Sequence, residues 1–177
     1  MIDSGAVLKF IALLSSPSPN VAEQAVWALE NIAGDGSIAR DIVLNCNSEE
    51  AIIFLVQSSN TPLSFLRNIV WLMSNLCRNK NPPPPFNRIE PMIPILSQLL
   101  AHEDAQVLAD ACWALSYVID DDSVKIESVV ASGAVPRLVR LLACDSTAII
   151  TPALRSVGNI VIGSDSQTDA VLQEQQK

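Results

Sequence analysis

Apolar residues recur along this chain at three- and four-residue spacing, the period of an amphipathic helix, in blocks separated by proline, glycine and small polar residues. Residues 5–14, GAVLKFIALL, form the first block and end in Leu13 and Leu14. Residues 15–20 interrupt it with Pro17 and Pro19, because proline lacks the amide donor that a helix interior uses. A long helix is predicted over residues 22–35, AEQAVWALENIAGD, with Gly34 and Gly36 as its closing punctuation. Shorter helices follow over 37–45 and 49–57, then a second long one over 62–78. The four prolines at 82–85 forbid helix and favour an extended spacer of polyproline II type. Residues 89–100, IEPMIPILSQLL, and 133–142, GAVPRLVRLL, resume the pattern, and 165–173 opens one further helix.

The long blocks are copies of one another. Trp27 and Asn31 are an i, i+4 pair on one helix face, repeated as Trp71 with Asn75, Trp113 with Tyr117, and Arg155 with Asn159. These anchors are 44, 42 and 42 residues apart. Leu13–Leu14, Leu99–Leu100 and Leu141–Leu142 each precede an anchor by the same interval. A period near 42 lies in the range of armadillo and HEAT helical repeats, whose units stack on a shared core. The expected fold is therefore all-α, one solenoid over residues 1–177 with about four repeats, the terminal ones incomplete. Approximate units are 1–45, 46–86, 87–132 and 133–163, with 164–177 starting another, and the second is the most worn copy.

Composition narrows the chemistry. With 49% hydrophobic but only 5% aromatic residues, the interior is built from aliphatic side chains. A net charge of −8 argues against nucleic acid and permits a basic partner. Cys46, Cys77, Cys112 and Cys144 lack metal-ligand spacing and fall within helical patterns, so they read as buried free thiols of an intracellular protein. No apolar run is long enough for a membrane span, and no signal peptide begins the chain, which opens like the middle of a repeat and so reads as a fragment or a truncated product. His102 lies in a polar turn, and no Ser–His–Asp set, P-loop or metal motif accompanies it, so neither an enzyme nor a cofactor is expected.

The tryptophan face asks for another explanation. Ala25, Val26, Ala28, Leu29 and Ile32 already supply a packing stripe beside Trp27, and a buried asparagine without partners costs about 1–3 kcal/mol. A face carrying Trp and Asn at successive steps reads instead as a groove lining. Lysine and arginine have apolar stems that lie along an indole and cationic ends attracted to aromatic faces and carboxylates. Asparagine amides can hold a peptide's backbone whatever its sequence. Asp35, Asp110 and Asp120 to Asp122 add negative charge, making the face a clamp for an extended basic segment.

The segments AEQAVWALENIAGDGS, NIVWLMSNLCRNKNPPPP, VLADACWALSYVIDDD and TPALRSVGNIVIGSDSQT resemble importin alpha, the armadillo-repeat adaptor for nuclear localisation signals, over nearly the whole chain. The resemblance implies a right-handed superhelical solenoid with a concave groove for lysine- and arginine-rich signals of cargo proteins, found in cytoplasm and nucleus. Trp27, Asn31, Trp71 and Asn75 would be steps of its major groove, Asp35 the partner of the signal's most demanding lysine, and Asn68 a further groove asparagine. Trp113, Tyr117, Arg155 and Asn159 would join the major groove to the minor one, along the path of a bipartite signal. Importin beta would be a partner only through a basic N-terminal arm, which these residues do not contain; nor do they contain the repeats that meet the export receptor. Two departures stand out: Glu30 replaces a glycine usual in the family, and SIARDIVLNCNSEEAIIF lacks the glycine that normally separates two helices. An armadillo scaffold that no longer binds signals is the alternative these departures leave open.

Overall fold

A computed structural model describes residues 4–78, 81–119 and 122–176, and among these every regular element is helical. The chain forms two compact units, Met1–Met92 and Ile93–Lys177. The first holds α1 (Ser4–Leu13), α2 (Pro19–Asp35), α3 (Ser37–Asn45), α4 (Glu49–Gln57), α5 (Leu63–Cys77), the short α6 (Phe86–Ile89) and a 3-10 turn at Glu90–Met92. The second holds α7 (Ile93–Leu99), α8 (Ala105–Val118), α9 (Ser123–Ala131), α10 (Val135–Leu141), α11 (Thr147–Val161), α12 (Asp165–Leu172) and a 3-10 turn at Gln173–Gln176.

Helix ends follow from local chemistry. Pro19 is the first residue of α2 rather than part of the preceding turn, since a proline at that position sacrifices no intrahelical bond. Gly34 lies inside α2, and only Gly36 closes it. The expected helix over 89–100 is instead α6, a 3-10 turn and α7, with Pro91 in the turn and Pro94 in the first turn of α7. Asp104 caps α8 by accepting the Val107 amide at 3.1 Å, and Ser164 and Gln167 form a reciprocal capping box on α12.

Each unit is centred on two long helices running side by side in the same direction. In the first, Asn68 Nδ2 donates to Glu23 Oε1 and Asn75 Nδ2 to the Glu30 carbonyl, both at 3.3 Å, so residues seven apart on α5 meet residues seven apart on α2. In the second, Ser156 Oγ donates to the Cys112 carbonyl at 3.4 Å and Asn159 to that of Ser116, aligning α11 with α8. Val26, Leu29, Ile69, Leu72, Met73 and Leu76 are fully buried in the first core, and Val107, Ala111, Leu115, Leu138 and Ile160 in the second. Burial of each large aliphatic side chain contributes about 1.5–3 kcal/mol.

One buried charge completes the first unit. Arg40, 0% exposed on α3, donates from Nε to Asp41, from Nη1 to the Arg78 carbonyl and from Nη2 to the Pro82 carbonyl, each at 2.9 Å. The guanidinium thereby holds the C-terminal end of α5 and the start of the proline spacer against α3. Only two of the four thiols meet the expectation of burial: Cys77 and Cys112 are buried, whereas Cys46 and Cys144 are half-buried, and all four are free. Burial pushes the Cys77 and Cys112 thiols up to about 12, so both stay protonated near neutral pH.

Candidate functional site

Rotation by about 100° per residue places the core stripe of α2 on one side and Trp27 on another. Ala22, Ala25, Val26, Leu29 and Ala33 are buried, while Ala28 and Ile32 of the expected stripe are half-buried. Trp27 is 55% exposed and Trp71, its counterpart on the adjacent α5, 46% exposed. Large indoles left this accessible on neighbouring helices are not core residues of this unit.

In the second unit, Trp113 is half-buried and stacks on Tyr117, with ring centroids 5.7 Å apart and planes at 24°. The Arg155 guanidinium lies 5.6 Å from the Tyr117 ring centroid, a cation on an aromatic face. Here the fourth anchor of the repeat reaches back from α11 onto the third, on α8.

The asparagines divide into two kinds. Asn31 is exposed and folds onto its own helix, donating to the Trp27 carbonyl at 2.7 Å. Asn75 is only 7% exposed, and its amide bonds the Glu30 carbonyl. Asn159 does the same two repeats later, reaching the Ser116 carbonyl at 3.4 Å and the Ile119 carbonyl at 2.7 Å. Both tie a long helix to carbonyls of the preceding one, and those of Ser116 and Ile119 lie at its C-terminal end, where intrahelical partners run out. Sequence reasoning assigned these amides to a ligand and missed the bond within the chain. The signal was available in the register, since Asn75 and Asn159 each follow another long helix by one period.

The acidic residues also sort by environment. Asp35 is exposed at the last position of α2, where the helix dipole does not favour a carboxylate. Asp110 is 6% exposed, and its Oδ2 has no hydrogen-bond partner among the described residues. Burial, with the Asp104 charge adding to it, pushes its carboxyl up to about 6. Asp122, expected to add charge to the ladder, is the N-cap of α9 and accepts the Val124 amide at 2.8 Å; Asp120 and Asp121 lie outside the described residues. Asn68 is half-buried against Glu23.

The first unit thus brings together Trp27, Asn31 and Asp35 on α2 with Asn68, Trp71 and Asn75 on α5; the second brings together Asp110, Trp113 and Tyr117 on α8 with Arg155 and Asn159 on α11. None of these residues lines the cavity of about 460 Å³ between α9 and α12, which is walled by Ser123, Glu127, Ser128, Ser164 and Gln167 among others. His102 Nδ1 accepts the Asp104 amide at 3.0 Å beside the start of α8. Among the described residues no group of three or more His, Cys, Asp or Glu is placed to hold a metal, and no helix is long and apolar enough to cross a membrane.

Comparison with known proteins agrees with this geometry. The model of the armadillo/beta-catenin-like repeat matches residues 1–34, 89–120 and 122–162. Importin subunit alpha-1b of Oryza sativa subsp. japonica is 49% identical over 177 residues, covering 99% of this chain and 32% of that protein. Importin subunit alpha-3 of Arabidopsis thaliana is 50% identical over 175 residues, with 99% and 33% covered. The chain spans about a third of the length of these relatives. Among solved structures, a designed armadillo repeat protein in complex with the peptide (KR)4 superimposes with a TM-score of 0.86 at 20% identity, covering 95% of this chain and 70% of that one. Computationally designed armadillo repeat proteins for modular peptide recognition reach 0.89 at 21% identity, covering 97% and 71%. With its 42-to-44-residue period, its paired long helices and these matches, the chain belongs to the armadillo/beta-catenin-like repeat family, in repeats similar to those of importin subunit alpha.

Proposed function

We propose that this chain binds extended lysine- and arginine-rich peptides of the nuclear-localisation-signal type along the Trp/Asn face of its long helices, as part of a nuclear import adaptor working between cytoplasm and nucleus. The observation that carries this reading is the pair of exposed indoles, Trp27 and Trp71, on adjacent helices with asparagines and carboxylates around them. A lysine stem lies along an indole while its ammonium meets Asp35, and the cation–aromatic contact contributes about 0.5–2 kcal/mol per site. One N–H of the Asn75 amide is bound to Glu30, which fixes the side chain; the other N–H and the amide oxygen are the groups for a peptide backbone. Asp110, Trp113, Tyr117, Arg155 and Asn159 of the second unit would form a contact region for a peptide of the same class. The similarity to importin alpha subunits and the (KR)4 peptide held by a designed armadillo protein support the same ligand class. No step of this function is chemical, so neither catalysis nor a cofactor enters it.

A labelled lysine-rich peptide titrated by fluorescence anisotropy tests the proposal. Trp71→Ala is expected to weaken binding about tenfold or more, as loss of a buried aromatic anchor does. A second reading, an armadillo scaffold without signal binding, draws on the intrachain use of Asn75 and Asn159. It predicts no saturable binding at low salt.

A further inference from the structure

Each repeat of a stacked array contacts its neighbours through two different faces, and positions one period apart do the same job in each. An exposed apolar residue whose counterparts are buried therefore marks an open stacking face. On the side of α2 opposite α5, Val21 is such a residue: it is 39% exposed, whereas its counterparts Phe65 and Ile149, 44 and 128 residues on, are buried where α5 meets α2 and α11 meets α8. Phe10, Leu13, Val21, Gln24 and Ala25, with Asn20, wall a hollow of about 340 Å³ on α1 and α2. On α11 the open face is the other one. Leu154 is 57% exposed, while its counterparts Val26 on α2 and Cys112 on α8 are fully buried. Val161, one further step along α11, is exposed where Ala33 and Ile119 are buried.

Polar positions keep the same register. Asn75 donates to the Glu30 carbonyl and Asn159 to that of Ser116, 45 and 43 residues earlier. The exposed Asn31 is the α2 counterpart of these donors, and Gly158 on α11 is the counterpart of these acceptors. A Cβ at Gly158 would meet nothing within 4 Å, so the way to this position is open. The two open faces are thus complementary halves of an interface that the chain already forms within itself, once between α2 and α5 and once between α8 and α11.

We propose that copies of this chain associate head to tail, the α11 face of one copy stacking on the α1–α2 face of the next. Leu154 enters the hollow beside Phe10, Leu13 and Val21, and the Asn31 amide donates to the Gly158 carbonyl of the other copy. A second copy is the occupant because it alone is shown to carry both matching halves, apolar and polar, in the register of the internal interfaces. The contact is independent of peptide binding. It is also heterologous: the two surfaces differ, so a pair still presents one open face of each kind, and growth continues beyond two copies.

Sedimentation equilibrium of the 177-residue chain over about 1–200 µM tests this, with the average mass expected to rise with concentration past that of two copies. Leu154→Glu and Val21→Glu each place a carboxylate on one face, where stacking would bury it unpaired. Both sites are exposed, so each variant keeps its fold, checked by circular dichroism. Either variant alone is expected to stay at the mass of one chain where the parent assembles. Mixed in equal amounts they are expected to pair and stop at two copies, because Val21→Glu keeps its α11 face and Leu154→Glu keeps its α1–α2 face. A parent chain that has the mass of one copy throughout overturns the proposal, and so do single variants that assemble like the parent. A mixture that fails to pair shows that the two faces do not meet each other, and overturns it as well.

Discussion

Asn31 and Asn75 occupy the same position of the repeat, and substituting each by alanine separates a structural asparagine from an exposed one. Asn31→Ala removes a bond to its own helix from an exposed side chain, and the Trp27 carbonyl lies inside α2, where the backbone ladder still satisfies it. The expected change is within about 0.5 kcal/mol. Asn75→Ala removes the amide that ties α5 to the Glu30 carbonyl of α2, and opens space where the Asn75 amide nitrogen sits 3.5 Å from the place a Cβ would take on Gly34. The lost hydrogen bond costs about 0.5–1.5 kcal/mol, and the small void left between the two helices brings the total to about 1–3 kcal/mol. For a chain of this size that lowers the melting temperature by about 2–10 °C. Urea unfolding followed by circular dichroism at 222 nm measures both variants against the parent, and equal midpoints for Asn31→Ala and Asn75→Ala would refute the assignment.

Other consequences are equally concrete. Arg40→Ala strands the Arg78 and Pro82 carbonyls and the Asp41 carboxylate, so a loss of about 3–5 kcal/mol is expected in urea denaturation, and a loss below 1 kcal/mol would mean the three bonds carry little. Asp110 is raised from 3.8 to about 6 in the fold, so its protonated form is the favoured one: its contribution is fully present below about pH 4 and is lost as pH rises through 6. Asp110→Asn should therefore melt a few degrees higher than the parent at pH 7.5, about 1–2 kcal/mol after screening, and no higher at pH 4; a pH-independent difference would contradict this. A methyl group at Gly163 would press on Gln167 Oε1 and come within 3.1 Å of the Ile160 carbonyl, while the Gln167 amide is held by Ser123, Ser164 and Glu127. Gly163→Ala is expected to destabilise by about 1–3 kcal/mol in thermal melts, where a neutral result would show that the capping box gives way easily.

Helix positions were legible because proline and glycine punctuate a strong apolar period: the helices expected over 37–45 and 49–57 coincide with α3 and α4. Pro19 was misplaced because proline breaks a helix interior yet is welcome at its first position. The exposed indoles were also legible, since the aliphatic stripe of α2 left them no core to fill. What escaped local pattern were contacts across a whole repeat. Nothing within SIARDIVLN marks Arg40 for burial, because besides Asp41 its partners are carbonyls 38 and 42 residues away. Asp122 reads as part of an acidic run, and capping is visible only once the start of α9 is known. Burial of Asp110 depends on how α7, α9 and α11 close around α8, which spacing along one helix does not reveal.

The central claim is that the Trp27 and Trp71 face binds a basic extended peptide, and titrating a labelled lysine-rich peptide against the parent chain and Trp71→Ala tests it most directly. The account predicts saturable binding that weakens with salt and falls about tenfold or more without the indole. Binding that ignores Trp71→Ala, or no binding at low salt, would contradict it.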